Sequence, residues 1–143
     1  MQTPAQKTVT AMQEKLAKLP QVDMPLTHRF TPGLYVREIF MPKGTLVISK
    51  IHKTEHPFVC LKGHAAVWIE GVGVQQIQAG HIGITKPGTR RILWMHEDTV
   101  WVTFHPTEKT DLKEIEDDVI YDPAKDTITE IDARAMKELA KPC

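Results

Sequence analysis

The chain has 143 residues, 41% of them hydrophobic and 25% charged, which excludes a disordered polymer and is enough for one domain with its own core. Eighteen basic side chains balance eighteen acidic ones, so the electrostatic footprint of bulk nucleic-acid binding is missing. No run of about 18 apolar residues predicts a spanning helix, and Met1–Lys7 lacks the basic-then-apolar pattern of a secretory signal, so no membrane partner is expected.

The charge is unevenly distributed. Residues 1–105 carry 12 basic and 7 acidic side chains, a net of +5, whereas residues 106–143 carry 6 and 11, a net of −5. A basic body with an acidic tail is either self-complementary or built to present a cationic pocket to an anion. Two cysteines, Cys60 and Cys143, fit neither a disulfide framework nor a zinc pattern. They point to a reducing, cytoplasmic setting, with Cys60 in an apolar run as core.

Three segments follow in chain order. Residues 1–33 open with a predicted helix over 1–20. Thr3 can cap it, Pro4 suits its first position and Gln6 completes the capping pattern, while Val9, Met12, Leu16 and Leu19 form one apolar stripe ended by Pro20. Residues 34–105 read as short strands at Leu34–Phe40, Thr45–His52, His56–Leu61, Ala65–Ile69, Val74–Gln78, His81–Thr85, Arg91–Met95 and Thr99–His105. Turns rich in Gly, Pro or acidic residues separate them. About eight strands without intervening helices predict an all-β, antiparallel sandwich or barrel. Residues 106–143 begin with an acidic segment that should wrap the outside. A second helix is expected over Thr127–Lys141, with Ile128, Ile131, Ala135, Met136 and Leu139 on its apolar face.

Six of the seven histidines, His52, His56, His64, His81, His96 and His105, fall in the strand-rich segment, and imidazole is both the commonest metal ligand and the side chain most easily titrated near neutrality. Gly44 to His105 resembles a small single-domain cupin, a jelly-roll barrel whose mouth usually holds a metal. Gly63 fits the closing glycine of the family's first motif. Counting back from it puts the family's glutamate at His56, its second histidine at His52 and its first at Lys50. Gly80 opens the second motif, Pro87 stands one place out of step, Gly88 is in step, and the family's last histidine falls at Arg91. The glycine framework is kept while the ligand tetrad reads Lys50, His52, His56 and Arg91.

That departure shapes the functional expectation. Lysine and arginine do not ligate as cations and repel a divalent ion. His52 and His56 alone make an incomplete metal set, to which His96, His81, His64 or His105 could add a third ligand. The plain alternative for each of those four is a surface or strand-end histidine. The alternative to a metal site is a cationic cradle in which Lys50, His52, His56 and Arg91 hold a small phosphate- or carboxylate-bearing ligand. Strand alternation puts Leu46, Ile48, Lys50 and His52 on one face and Val47, Ser49 and Ile51 on the other, and the resemblance turns the first set inward. Trp94 could stack on a ligand ring at the mouth, although a strand tryptophan is equally a packing residue.

Three functions remain open. The first is an accessory or regulatory cupin binding a small anion. The second is a cupin enzyme (dioxygenase, isomerase or lyase) using a divalent metal such as Zn, Fe, Mn or Ni at His52 and His56. The third is a structural or host-interaction module, because residues 103–116 resemble the tails of cupin-like proteins of tailed phages, which would place the chain in a host cytoplasm. The stripes Val9–Leu19 and Ile128–Leu139 exceed what one small barrel needs and predict a homodimer or larger assembly.

Overall fold

The computed structural model describes residues 4–18 and 22–120. Helix α1 spans Pro4–Ala17, inside the expected 1–20. Nine strands follow: β1 Leu26–Thr31, β2 Leu34–Met41, β3 Leu46–Ile48, β4 His56–Lys62, β5 His64–Ile69, β6 Gly73–Gln78, β7 Ile82–Thr85, β8 Arg91–Met95 and β9 Thr99–Pro106. Helix α2, Leu112–Val119, comes after them. The helix expected over Thr127–Lys141 and the stripe residue Leu19 lie outside the described residues. No described helix is long and apolar enough to cross a membrane.

The strands form two antiparallel sheets, β1-β2-β9-β4-β7 and β3-β8-β5-β6. From β2 onward the chain passes back and forth between them, which closes a jelly-roll barrel. Alternating residues fill it: Met41 from β2, Phe58 and Cys60 from β4, Ala65 and Val67 from β5, Ile77 from β6, Leu93 and Met95 from β8 and Trp101 from β9. Phe58 and Trp101 stack at 4.7 Å, nearly parallel, across the middle of that core. Cys60 is fully buried, as a core cysteine should be.

Gly63 makes the tight turn between β4 and β5. Its φ of +96° is one that side chains rarely adopt, and a Cβ there would collide with the Asp98 carbonyl oxygen. The glycine that aligns the chain with the cupin pattern is therefore required by this turn.

Two elements, β1 and α2, are absent from the sequence reading. The sequence of β1 lacks apolar alternation because five of its six residues are exposed at a sheet edge. It is held there by its register with β2, and both residues of His28-Arg29 find partners on that strand: His28 Nδ1 is 2.6 Å from the Tyr35 hydroxyl, and Arg29 pairs with Glu38 at 3.0 Å. Within the acidic segment, Asp111 caps α2 by accepting from the Glu114 N–H, and Ile115 and Val119 pack with Tyr35 in a second, smaller apolar cluster. Helix α2 thus packs against Tyr35 of β2 through Ile115 and Val119.

Candidate functional site

β3 ends at Ile48 instead of running on to His52, and the chain then crosses from one sheet to the other. This break decides which residues reach the interior. Within β3, Val47 packs on the core while Leu46 is exposed, the reverse of the inward set expected from the alignment. Lys50 follows the outer face and its ammonium pairs with Glu116 of α2 at 2.9 Å, both side chains largely exposed. The inward placement expected for Lys50 is therefore corrected: β3 turns Val47 inward, so Lys50 stays on the outer face with Leu46. His52 turns in, because the crossing segment is tied to the end of α2 by a β-bridge from His52 to Ile120 and by the Lys53 N–H donating to Val119 at 2.6 Å.

His56 opens β4 and is almost fully buried. β4 pairs Phe58 with Thr103 of β9, and two residues further along that register His56 and His105 stand side by side. Their ring centroids are 4.5 Å apart, those of His52 and His56 4.7 Å, and those of His52 and His105 6.4 Å. Tyr35, opposite His105 in the β2–β9 ladder, stacks on it at 5.7 Å and links the group to His28. The structure thus gathers His52, His56 and His105, the last of which the sequence offered only as one of four further histidines.

Two guanidinium groups adjoin these rings. Arg91, the first residue of β8, lies over the Phe58 ring at 4.8 Å and donates from Nη1 to the Thr85 hydroxyl at 2.9 Å. Its Nε is buried with no hydrogen-bond partner, and burial lowers its pKa to about 10. Arg37 shares the inward face of β2 with Tyr35, and burial lowers its pKa too, opposed by the charges of Tyr35 and Glu116. The sequence reading missed Arg37; its inward position on β2, two residues from the buried Tyr35, was the available signal.

Burial sets the protonation of the cluster. His52 is lowered to about 3, first by burial and then by His56, His105, Arg37 and Arg91. His105 is lowered to about 4 by burial, His56 and Arg37. His56 moves the same way by burial, with the Thr54 carbonyl opposing and Arg91 assisting. All three imidazoles are neutral at pH 7. In His56 the Nδ1–H donates to the Thr54 carbonyl at 3.2 Å, which leaves Nε2 as an acceptor. His105 Nε2 is 2.9 Å from the Thr103 hydroxyl, while its Nδ1 is buried without a partner.

The metal that the cupin resemblance implies does not fit these residues. Metal–nitrogen bonds of about 2.0–2.1 Å place ring centroids about 3.2 Å from an ion, and neighbouring ligands about 4.5–5.2 Å from each other. At 6.4 Å, His52 and His105 are too far apart to be neighbouring ligands of a tetrahedral ion, and two arginines beside them oppose a divalent cation. No group of three or more His, Cys, Asp or Glu among the described residues converges on one point. Trp94 is also elsewhere: Leu93 and Met95 point inward, so Trp94 faces outward, 44% exposed, beside its ladder partner Leu46.

A cavity of about 330 Å³ opens between β6 and β7, one edge strand of each sheet, and reaches Phe58, Ile69, Ile77 and Arg91. A smaller one, about 210 Å³, lies under α2 and reaches His105 from the other end.

No protein-family model and no curated protein matches the chain. Solved structures match it in fold. A salicylate 1,2-dioxygenase from Pseudoaminobacter salicylatoxidans has TM-score 0.55 at 13% identity over 78% of this chain and 32% of its own. A DMSP lyase from Ruegeria pomeroyi has 0.52 at 14% over 62% and 49%. An RmlC-like cupin with a double-stranded β-helix from Methanocaldococcus jannaschii has 0.50 at 11% over 60% and 82%. The chain has the double-stranded β-helix fold of the cupins. At these identities the likeness extends to the fold alone, and fold does not set function.

Proposed function

We propose that this small cupin binds a carboxylate- or phosphate-bearing small molecule inside its barrel, in an accessory or regulatory role. The observation that carries this reading is Arg91. Its side chain is partly buried and makes no ion pair among the described residues, and its buried Nε–H has no acceptor. An arginine stays charged, and an uncompensated buried charge costs several kcal/mol unless a counter-ion joins it. An anion entering the 330 Å³ cavity supplies that counter-ion and the missing acceptor together. The volume is at the lower end for small-molecule sites. Phe58, Ile69 and Ile77 offer an apolar wall for the ligand's body, and Glu70, His81 and Lys86 are the titratable groups that line the cavity with Arg91.

The test is thermal stabilisation by a panel of small carboxylates and phosphates against matched neutral compounds. At least one anion should raise the melting temperature. Arg91→Ala should weaken its binding by about ten- to a hundredfold, the worth of one charge-assisted hydrogen bond at roughly 1.5–3 kcal/mol. Arg91→Lys should recover only part, because the planar fork is lost. Equal binding by wild type and Arg91→Ala refutes the proposal.

A further inference from the structure

We infer that His64 and His96 form a surface site for a divalent transition-metal ion, separate from the barrel interior. β5 and β8 pair Ala65 with Met95, and the His96 N–H donates to the His64 carbonyl at 3.0 Å, so the two histidines stand opposite each other across neighbouring strands. Ala65 and Met95 point into the core; His64 and His96 therefore project from the outer face of the same sheet. Their ring centroids are 4.6 Å apart at 48°. That spacing falls within the about 4.5–5.2 Å of two neighbouring imidazoles bound to one ion.

A second observation fixes the ligand atom. His64 Nε2 lies 2.8 Å from the Gln76 side-chain oxygen, on the adjacent strand β6. An N–H donated to that oxygen leaves the lone pair on Nδ1. A metal-bound histidine is oriented in this way by an oxygen acceptor on its other nitrogen. The charge environment also differs from that of the buried histidines. His96 leads directly into Glu97 and Asp98, whereas His52, His56 and His105 adjoin Arg37 and Arg91. The exposed position leaves the remaining coordination sites to water, an arrangement suited to Cu(II), Ni(II) or Zn(II), with Cu(II) bound most tightly.

Electron paramagnetic resonance of the full chain with one equivalent of Cu(II) tests the site. The wild-type spectrum should show two coordinated imidazole nitrogens. His64→Ala and His96→Ala should each leave at most one and weaken binding by tenfold or more. Gln76→Ala should keep both nitrogens and weaken binding about tenfold, as loss of an orienting partner does. His52→Ala should leave both spectrum and affinity unchanged. All these side chains except His52 face outward, so circular dichroism will confirm folded variants. Two nitrogens retained in either His64→Ala or His96→Ala, or their loss in His52→Ala, would overturn the inference.

Discussion

Lowering the pH from 7 to 5 should destabilise this protein well before its carboxylates titrate. His52 and His105 have pKa values of about 3 and about 4 in the folded chain, where burial is the main cause, against about 6.5 when unfolded. The folded values are the lower ones, so the unfolded chain binds more protons below about pH 6.5. Stability that is complete above that pH is then lost progressively as the pH falls toward 4 and 3. At pH 5 the unfolded state gains about 1.5 pH units of protonation per imidazole that the folded state refuses, or about 2 kcal/mol for each group. Two groups give about 4 kcal/mol, and His56 adds in the same direction. Against a total of about 5–15 kcal/mol this is a large fraction. Urea unfolding at the two pH values measures it, and His52→Gln with His105→Gln should flatten the dependence. A loss below about 1 kcal/mol in the wild type, or imidazole resonances of His52 and His105 titrating near pH 6.5, would refute the buried, neutral cluster.

Other consequences follow from the same geometry. Gly63→Ala should cost at least about 2 kcal/mol in thermal unfolding, because φ is positive and the new methyl collides with the Asp98 carbonyl. Lys50→Ala should change stability by less than about 1 kcal/mol and leave anion binding untouched, since its pair with Glu116 is exposed. Protein purified without added metal should hold no stoichiometric ion at His52, His56 and His105. Elemental analysis in which a bound metal is lost on His56→Ala would contradict that.

The barrel was readable because each strand from β2 to β9 announced itself twice, once by β-rich apolar residues and once by the Gly, Pro or acidic turn beside it. Arg91–Met95 is placed to the residue, and most of the other ends fall within one. β1 was unreadable for the opposite reason: an edge strand with solvent on nearly all its side chains needs no apolar alternation. The site was harder to read. Lys50 and His52 are two residues apart and would share a face in any strand, yet one pairs with Glu116 outside and the other is buried. The strand ends between Ile48 and Lys50, and the α2 contacts that redirect the chain are more than sixty residues away in sequence. His105 and Arg37 join the cluster through the β2–β9 and β4–β9 registers, which no local pattern encodes.

Arg91 concentrates the central claim, and extraction of small molecules from purified protein tests it most directly. Wild type and Arg91→Ala, both confirmed as folded, would be denatured and their released compounds compared by mass spectrometry. The account predicts a carboxylate- or phosphate-bearing compound released in stoichiometric amount from the wild type and absent from Arg91→Ala. The same compound released equally from both proteins would contradict it.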